Sequence, residues 1–111
     1  MRLTPTELDR LTVFTVAELA RRRLAKGWRL NHPEALGLIA DEMHEAARGG
    51  ASYDEVAAAG RGVLTEAQVL DGVAELIGTI RIECLFADGA RVLVVEQPIR
   101  SAAPAGGGSA A

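Results

Sequence analysis

Few side chains in this chain of 111 residues could do chemistry, and they are scattered. The histidines are His32 and His44, the single cysteine is Cys84, and three consecutive arginines form Arg21–Arg23. Histidines with carboxylates bind transition metals, a thiolate can act as a nucleophile, and clustered arginines bind phosphate groups. Whether any of these groups forms a site depends on the helices and strands that carry them.

Both histidines belong to one predicted helix. Pro33 disfavours helical geometry in the preceding residue, so we expect His32 at the cap position and Pro33 in the first turn. Twelve residues separate His32 from His44, which corresponds to about 18 Å along a helix and to different faces. A shared metal site is therefore excluded, and His44 with Asp41 or Glu45 would form a poor one. We expect surface or interface histidines and no catalytic, cofactor-binding or metal-binding residue in this chain.

The rest of that helix follows an apolar pattern ended by Gly49-Gly50. The predicted outer positions include Asp41, Glu42, Glu45 and Arg48. The predicted buried stripe consists of Leu36, Ile39, Ala40, Met43 and Ala47.

The three arginines lie at the end of a first predicted helix, residues 5–26, which Thr4 caps and Gly27 stops. Its apolar stripe is Leu8, Leu11, Phe14, Ala17, Ala20 and Leu24, widened by Val13, Val16 and Leu19, so we expect cover on more than one side. Consecutive helical residues point about 100° apart, so Arg21–Arg23 cannot form one flat patch.

The charge is distributed unevenly along the chain. Residues 1–31 hold seven basic and three acidic side chains, whereas residues 32–111 hold five and twelve. The basic segment could bind nucleic acid, but a solvated helix face or a subunit interface is favoured, because no aromatic residue or glycine-rich phosphate loop accompanies the arginines.

Two further helices are predicted from capping boxes. Ser52–Glu55 opens a third helix that Gly60 closes, with Tyr53 as a packing residue rather than a catalytic phenol. Thr65–Gln68 opens a fourth helix, in which Gly72 indicates a close packing contact. Its apolar side would contain Val69, Leu70, Val73, Leu76 and Ile77.

The pattern then changes to the alternation of a β-hairpin around Asp88-Gly89. Residues 79–86 place Ile80, Ile82, Cys84 and Phe86 on one side, so Cys84 is expected to be a buried, inert thiol. The second strand, residues 91–96, is apolar on both faces. We expect Leu93 and Val95 to point away from the helices, towards a partner.

These patterns predict an α+β fold, with a four-helix N-terminal body followed by a C-terminal β-hairpin, in one domain of residues 1–100. Residues 101–111, SAAPAGGGSAA, are predicted to be a disordered low-complexity tail. The start MRLTPTELDR lacks a signal-peptide core, the longest apolar run is too short for a bilayer, and one cysteine allows no internal disulfide. A cytoplasmic assembly component without nucleic-acid or membrane contact is therefore expected.

The order of motifs resembles the gamma subunit of urease from about Met1 to Ile99. The resemblance rests on Leu30-Asn31, Pro33-Glu34-Ala35, the segment 69–77, the hairpin through Asp88-Gly89, and Pro98-Ile99. It implies the same fold and a small non-catalytic subunit. It also implies partners, the urease beta and alpha subunits, in a trimer of heterotrimers.

The enzyme implied by this resemblance hydrolyses urea to ammonia and carbamate. Two nickel ions bridged by a carbamylated lysine activate water there, and the resemblance assigns all of their ligands to the alpha subunit. No such ligand can be transferred to this sequence.

Four positions depart from the family pattern. His32 stands where an aromatic residue is usual, Leu70 where methionine is common, and Ala74 where proline is usual, while alanine or threonine is usual near Cys84. These departures indicate a divergent member. The alternatives are a subunit of a divergent urease-like complex or a free-standing small binding module.

Overall fold

The computed structural model describes residues 2–101, so the predicted tail lies outside the described residues apart from Ser101. The helices are α1 (Pro5–Ala25), α2 (His32–Arg48), α3 (Tyr53–Arg61) and α4 (Val73–Ile77), and a 3₁₀ turn spans Glu66–Gln68. The strands are β1 (Thr79–Phe86) and β2 (Gly89–Glu96), an antiparallel pair. The predicted α+β arrangement is confirmed.

A capping box begins each of the first three helices. In each, the side-chain oxygen of the N-cap residue accepts from the backbone N–H of the N3 glutamate, and the carboxylate of that glutamate accepts from the backbone N–H of the N-cap residue. At α2 the cap is Asn31 and not His32, so that prediction was wrong. The Asn31 side chain accepts from the Glu34 N–H at 3.0 Å, and the Glu34 carboxylate accepts from the Asn31 N–H at 2.9 Å. Asparagine offers an acceptor at this position without cost to the helix, and His32 becomes the first helical residue.

Helix α1 lies against α2 along small residues. Ala17 and Ala20 are fully buried, and an added Cβ at Gly37 would lie 2.5 Å from Val16 Cγ1. Of the remaining predicted stripe, Leu24 is partly buried against the core, whereas Leu8, Leu11, Phe14 and Leu19 stay exposed. Within residues 2–101, nothing supplies the cover that was expected on a second side of α1.

The predicted fourth helix is broken, which corrects that expectation. Val69 is extended and forms a parallel bridge with Leu30, whose backbone donates to Gln68 O and accepts from the Leu70 N–H. Gly72 has φ +86° and nothing within 4 Å of an added Cβ. It is therefore needed for its backbone conformation and not for the close contact predicted, and α4 begins only after it.

The hairpin packs on α2 and α3 through one face. Leu93 and Val95 are fully buried, whereas Val92 and Val94 are 50% and 43% exposed. The expected direction of the strand faces was therefore wrong. The register pairs Ile82 with Leu93, and directly opposed residues of an antiparallel pair point to the same side.

Candidate subunit interface

The two histidines lie in different clefts. His32 is partly buried beside Ile80 in a shallow cleft between α2 and β1, whereas His44 lines a groove that α2 forms with α1. Burial, with the nearby charge of Arg10, lowers the pKa of His44 below its ordinary value. Among residues 2–101 there is no group of three or more His, Cys, Asp or Glu side chains that could hold a metal ion.

Cys84 is fully buried on the core face of β1, as predicted. Burial raises the pKa of its thiol, so the reactive thiolate is disfavoured at neutral pH. Tyr53 also has the predicted packing role. Its ring stacks on Phe86 with centroids 6.2 Å apart, and its hydroxyl donates to Val92 O at 3.2 Å.

The groove beside His44 lies between α1, α2 and β1 and has a volume of about 450 Å³. Its walls are mainly aliphatic, with Val16, Leu36 and Ile82 among them, and Arg81 and Glu83 contribute charge. The side chains of this groove that could act as a general acid or base are His44 and Glu83, and no cysteine, serine or lysine nucleophile of the described residues lines it.

The arginine run is largely occupied within the fold. Arg21 lies 2.5 Å from Asp41 and 2.8 Å from Glu42, and Arg23 pairs with Glu34. These pairs do not favour the free-standing polyanion-binding module. Within the described part of the chain, Arg22 forms no ion pair and is exposed.

Asp41 was expected outside the buried stripe of α2, and that prediction was wrong. It is 1% exposed and accepts from Arg10 at 2.7 Å and from Arg21 at 2.5 Å. Burial acts to raise the pKa of its carboxyl, but the two arginines outweigh burial and lower it. The sequence held a signal for this contact, because Arg10 and Arg21 are eleven residues, about three turns, apart on one face of α1.

Two exposed surfaces of the described residues are apolar. The first, which we call the outer stripe of α1, comprises Leu8, Leu11, Thr15 and Leu19, with Phe14 beside it. Its leucines and Phe14 are between 44% and 51% exposed.

The second apolar surface, the hairpin outer face, comprises Leu85, Val92 and Val94. Leu85 is 70% exposed. Large apolar side chains grouped on one surface mark interaction sites, because they gain free energy when a partner removes them from water.

No helix among the described residues is both long and apolar enough to cross a membrane.

The comparisons with known proteins cover nearly the whole chain. Residues 1–99 match the family model described as urease, gamma subunit. Two relatives named urease subunit gamma/beta, from Pseudomonas syringae pv. syringae (strain B728a) and Pseudomonas syringae pv. tomato (strain ATCC BAA-871 / DC3000), are each 51% identical over 100 residues. These matches cover 90% of this chain and 43% of each relative, so the chain spans less than half the length of those relatives. The chain belongs to the urease gamma subunit family.

Proposed function

We propose that this chain is a structural, non-catalytic subunit of a nickel-dependent urease, which hydrolyses urea to ammonia and carbamate in the cytoplasm. The main support for the proposal is the exposure of the hairpin outer face. Val92 and Val94 remain exposed although the opposite face of the same strand is fully buried against the helices. A strand that is apolar on both faces needs a second covering layer, and another subunit is the natural one.

The nickel ions of such an enzyme do not fit the side chains of this chain. His32 and His44 are held at different places on α2, and the Cys84 thiol is buried in the core without a metal-binding neighbour cluster among residues 2–101. Our proposal places the nickel and its ligands on the alpha subunit. No step of the hydrolysis is assigned to a residue of this chain.

The hairpin outer face has the layout of a subunit contact. Its register sets Arg81 opposite Val94 and Glu83 opposite Val92, so charged side chains border the exposed valines. An apolar centre with a polar margin is the usual arrangement of a protein interface. We propose that an alpha or beta subunit covers this face, in a trimer of heterotrimers that involves neither nucleic acid nor membrane.

The names of the relatives support a beta subunit as one direct partner. Both are named gamma/beta, and this chain matches less than half of each. We infer that the sequence resembling this chain and a beta-type sequence act together in the same assembly.

Co-purification tests the proposal. An affinity-tagged copy of this chain is expressed together with a urease alpha subunit and a urease beta subunit from the same source. We expect the three chains to elute together in equal numbers, with nickel in the complex. Recovery of this chain alone, while the alpha and beta chains assemble without it, would contradict the proposal.

A further inference from the structure

We propose that α1 is a detachable helix, which acid releases from the rest of the fold through protonation of His44. This movement within one chain goes beyond the proposed function and does not depend on it. Three features support it. They are the small apolar contact beneath α1, the charges that join α1 to α2, and the place of His44 beside that contact.

The apolar contact that holds α1 in place is small. Among the described residues of α1, only Ala17 and Ala20 are buried, whereas Val13, Val16 and Leu24 are partly buried. An alanine side chain removes little apolar area from water, so its burial adds little to the free energy of docking. Helix α1 packs on α2, and within residues 2–101 it has no comparable contact with another helix or strand.

Ion pairs add a second attraction between the two helices. Within residues 2–101 five ion pairs join them, and in every one the arginine lies on α1 and the carboxylate on α2. The pairs are Arg10–Asp41, Arg10–Glu45, Arg21–Asp41, Arg21–Glu42 and Arg23–Glu34. Those of Asp41 matter most, because its carboxylate is almost fully buried and exposed pairs contribute little. Positive charge added on the α2 side therefore weakens the contact.

The segment between the helices has the features of a hinge. Gly27 follows α1 with φ +82° and nothing within 4 Å of an added Cβ, and residues 28–29 are exposed. Leu30, in contrast, is fully buried. Its N–H donates to Gln68 O at 2.9 Å, and its carbonyl accepts from the Leu70 N–H at 2.9 Å. Rotation within the exposed segment can therefore move α1 while the chain from Leu30 onwards keeps its contacts.

His44 lies half-buried in the groove where α1, α2 and β1 meet. The charged groups that line this groove or lie near His44 are Arg10 from α1, Asp41 and Glu45 from α2, and Arg81 and Glu83 from β1. While α1 is docked, burial and the charge of Arg10 lower the pKa of His44. Release removes Arg10 and leaves the carboxylates of Asp41 and Glu45 beside His44, so the released state binds a proton more readily.

This difference in proton binding makes docking dependent on pH. Docking holds the pKa of His44 below its ordinary value of 6.5. His44 therefore stabilises docking fully above about pH 6.5, and this contribution declines as pH falls below that value. The loss from Asp41 begins only near its ordinary pKa of about 4, so His44 responds first. Because α1 carries the outer stripe, acid would move one of the two exposed apolar surfaces relative to the other.

Amide hydrogen exchange of the full chain, corrected for the intrinsic effect of pH on exchange, tests the proposal. From about pH 7.5 to about pH 5.5, the range in which histidine titrates, the protection of α1 amides should fall at least several-fold. Protection in α2, β1 and β2 should be retained. His44→Gln keeps a polar side chain that cannot be protonated, so it should remove the dependence on pH. His32→Gln is the matched control and should behave as the parent chain, because no residue of α1 lines the cleft of His32.

Two neighbouring arginines of α1 test the role of charge. Arg21→Gln removes the pairs with Asp41 and Glu42, so α1 should exchange faster at both pH values. Arg22→Gln is the same change at an exposed residue that forms no ion pair within the described part of the chain, and it should leave exchange unchanged. Added sodium chloride should also speed exchange in α1, because salt screens ion pairs but does not weaken apolar burial.

Protection of α1 that stays constant between the two pH values overturns the proposal. Simultaneous loss of protection in α1 and in the hairpin would show that the whole chain unfolds, and would overturn it as well. If His44→Gln loses α1 protection as strongly as the parent chain does, His44 is not the group that responds to acid and the proposal is wrong.

Discussion

Asp41 connects the two long helices through charge. Its carboxylate is almost fully buried, yet it binds Arg10 and Arg21, which are each about one-third exposed. Together with Arg23 and Glu34, these contacts use three of the seven basic side chains in the first 31 residues. The excess of basic residues in the N-terminal segment suggested a polyanion site. Part of that excess instead forms ion pairs between α1 and α2.

The pKa of Asp41 predicts how stability depends on pH. Its folded pKa lies below the ordinary value, so its stabilising contribution is present above the unfolded pKa of about 4 and is lost as pH falls below it. Urea unfolding followed by circular dichroism from neutral to acidic pH should show this loss. In Asp41→Asn the acid-dependent part should be smaller than in the parent chain.

Asp41→Asn should also lower stability at neutral pH. Removing one partner of a fully buried ion pair costs about 3–5 kcal/mol, but the arginines here remain partly solvated, so we expect about 1–3 kcal/mol. Glu45→Gln, which changes an exposed partner of Arg10, is the matched control and should cost less than about 1 kcal/mol. Equal losses in the two variants would contradict the assigned role of Asp41.

Replacing Gly37 or Gly72 by alanine is predicted to lower the free energy of unfolding, for a different reason at each position. At Gly37 the added Cβ would lie 2.5 Å from Val16 Cγ1, so overpacking should cost about 1–3 kcal/mol. At Gly72 the space is open and the positive φ should cost about 1–2 kcal/mol. Val16→Ala should rescue Gly37→Ala and not Gly72→Ala, as measured in a double-mutant cycle of unfolding free energies.

Among the elements, local signals in the sequence were sufficient for α1, α2, α3 and both strands. Capping boxes and period-two alternation depend on neighbouring residues, and the structure confirms the Ser52–Glu55 box and the alternating strands. The Thr65–Gln68 box opens only a 3₁₀ turn. Long-range contacts were not readable in the same way. The bridge between Leu30 and Val69 breaks the predicted fourth helix. The local pattern of residues 65–77 gives no sign that Val69 pairs with a residue thirty-nine positions earlier.

The hairpin faces show the same limit. Both faces of β2 are apolar, so hydropathy cannot say which one packs on the helices. The register decides this, because Ile80 and Ile82 of β1 share their side with Val95 and Leu93. The turn consists of Ala87 and Asp88, one residue earlier than the Asp88-Gly89 signal, and Phe86 pairs with Gly89. Pairing the strands across this turn would have identified the buried side.

The corrected faces lead to a paired prediction for the hairpin. Leu93→Asp places a charge in the core and should unfold the chain or destabilise it by more than about 3 kcal/mol. Val94→Asp, on the hairpin outer face, should leave the circular dichroism spectrum of the isolated chain unchanged and prevent co-purification with the other subunits. If Val94→Asp assembles normally, the hairpin outer face is not the subunit contact.

At the scale of the whole molecule, the candidate interface was only partly predictable. The sequence indicated that an apolar surface was left for a partner, and this expectation led to the hairpin. It did not show that the first half of α1 is uncovered as well, since periodicity marks a face as apolar without telling whether this chain or another covers it. The family assignment rests on the match over residues 1–99, and the surfaces come from the fold.

The central claim is that this chain supports a urease without taking part in its chemistry. The most direct measurement is the rate of urea hydrolysis per assembled complex, together with its nickel content, when this chain carries both His32→Gln and His44→Gln. Glutamine keeps a neutral polar side chain at His44, whose lowered pKa favours the neutral form. We predict unchanged nickel content and a rate within about twofold of the parent complex. A complex with normal subunit composition whose rate falls by about 100-fold, as expected when an acid–base group is removed, would contradict the claim.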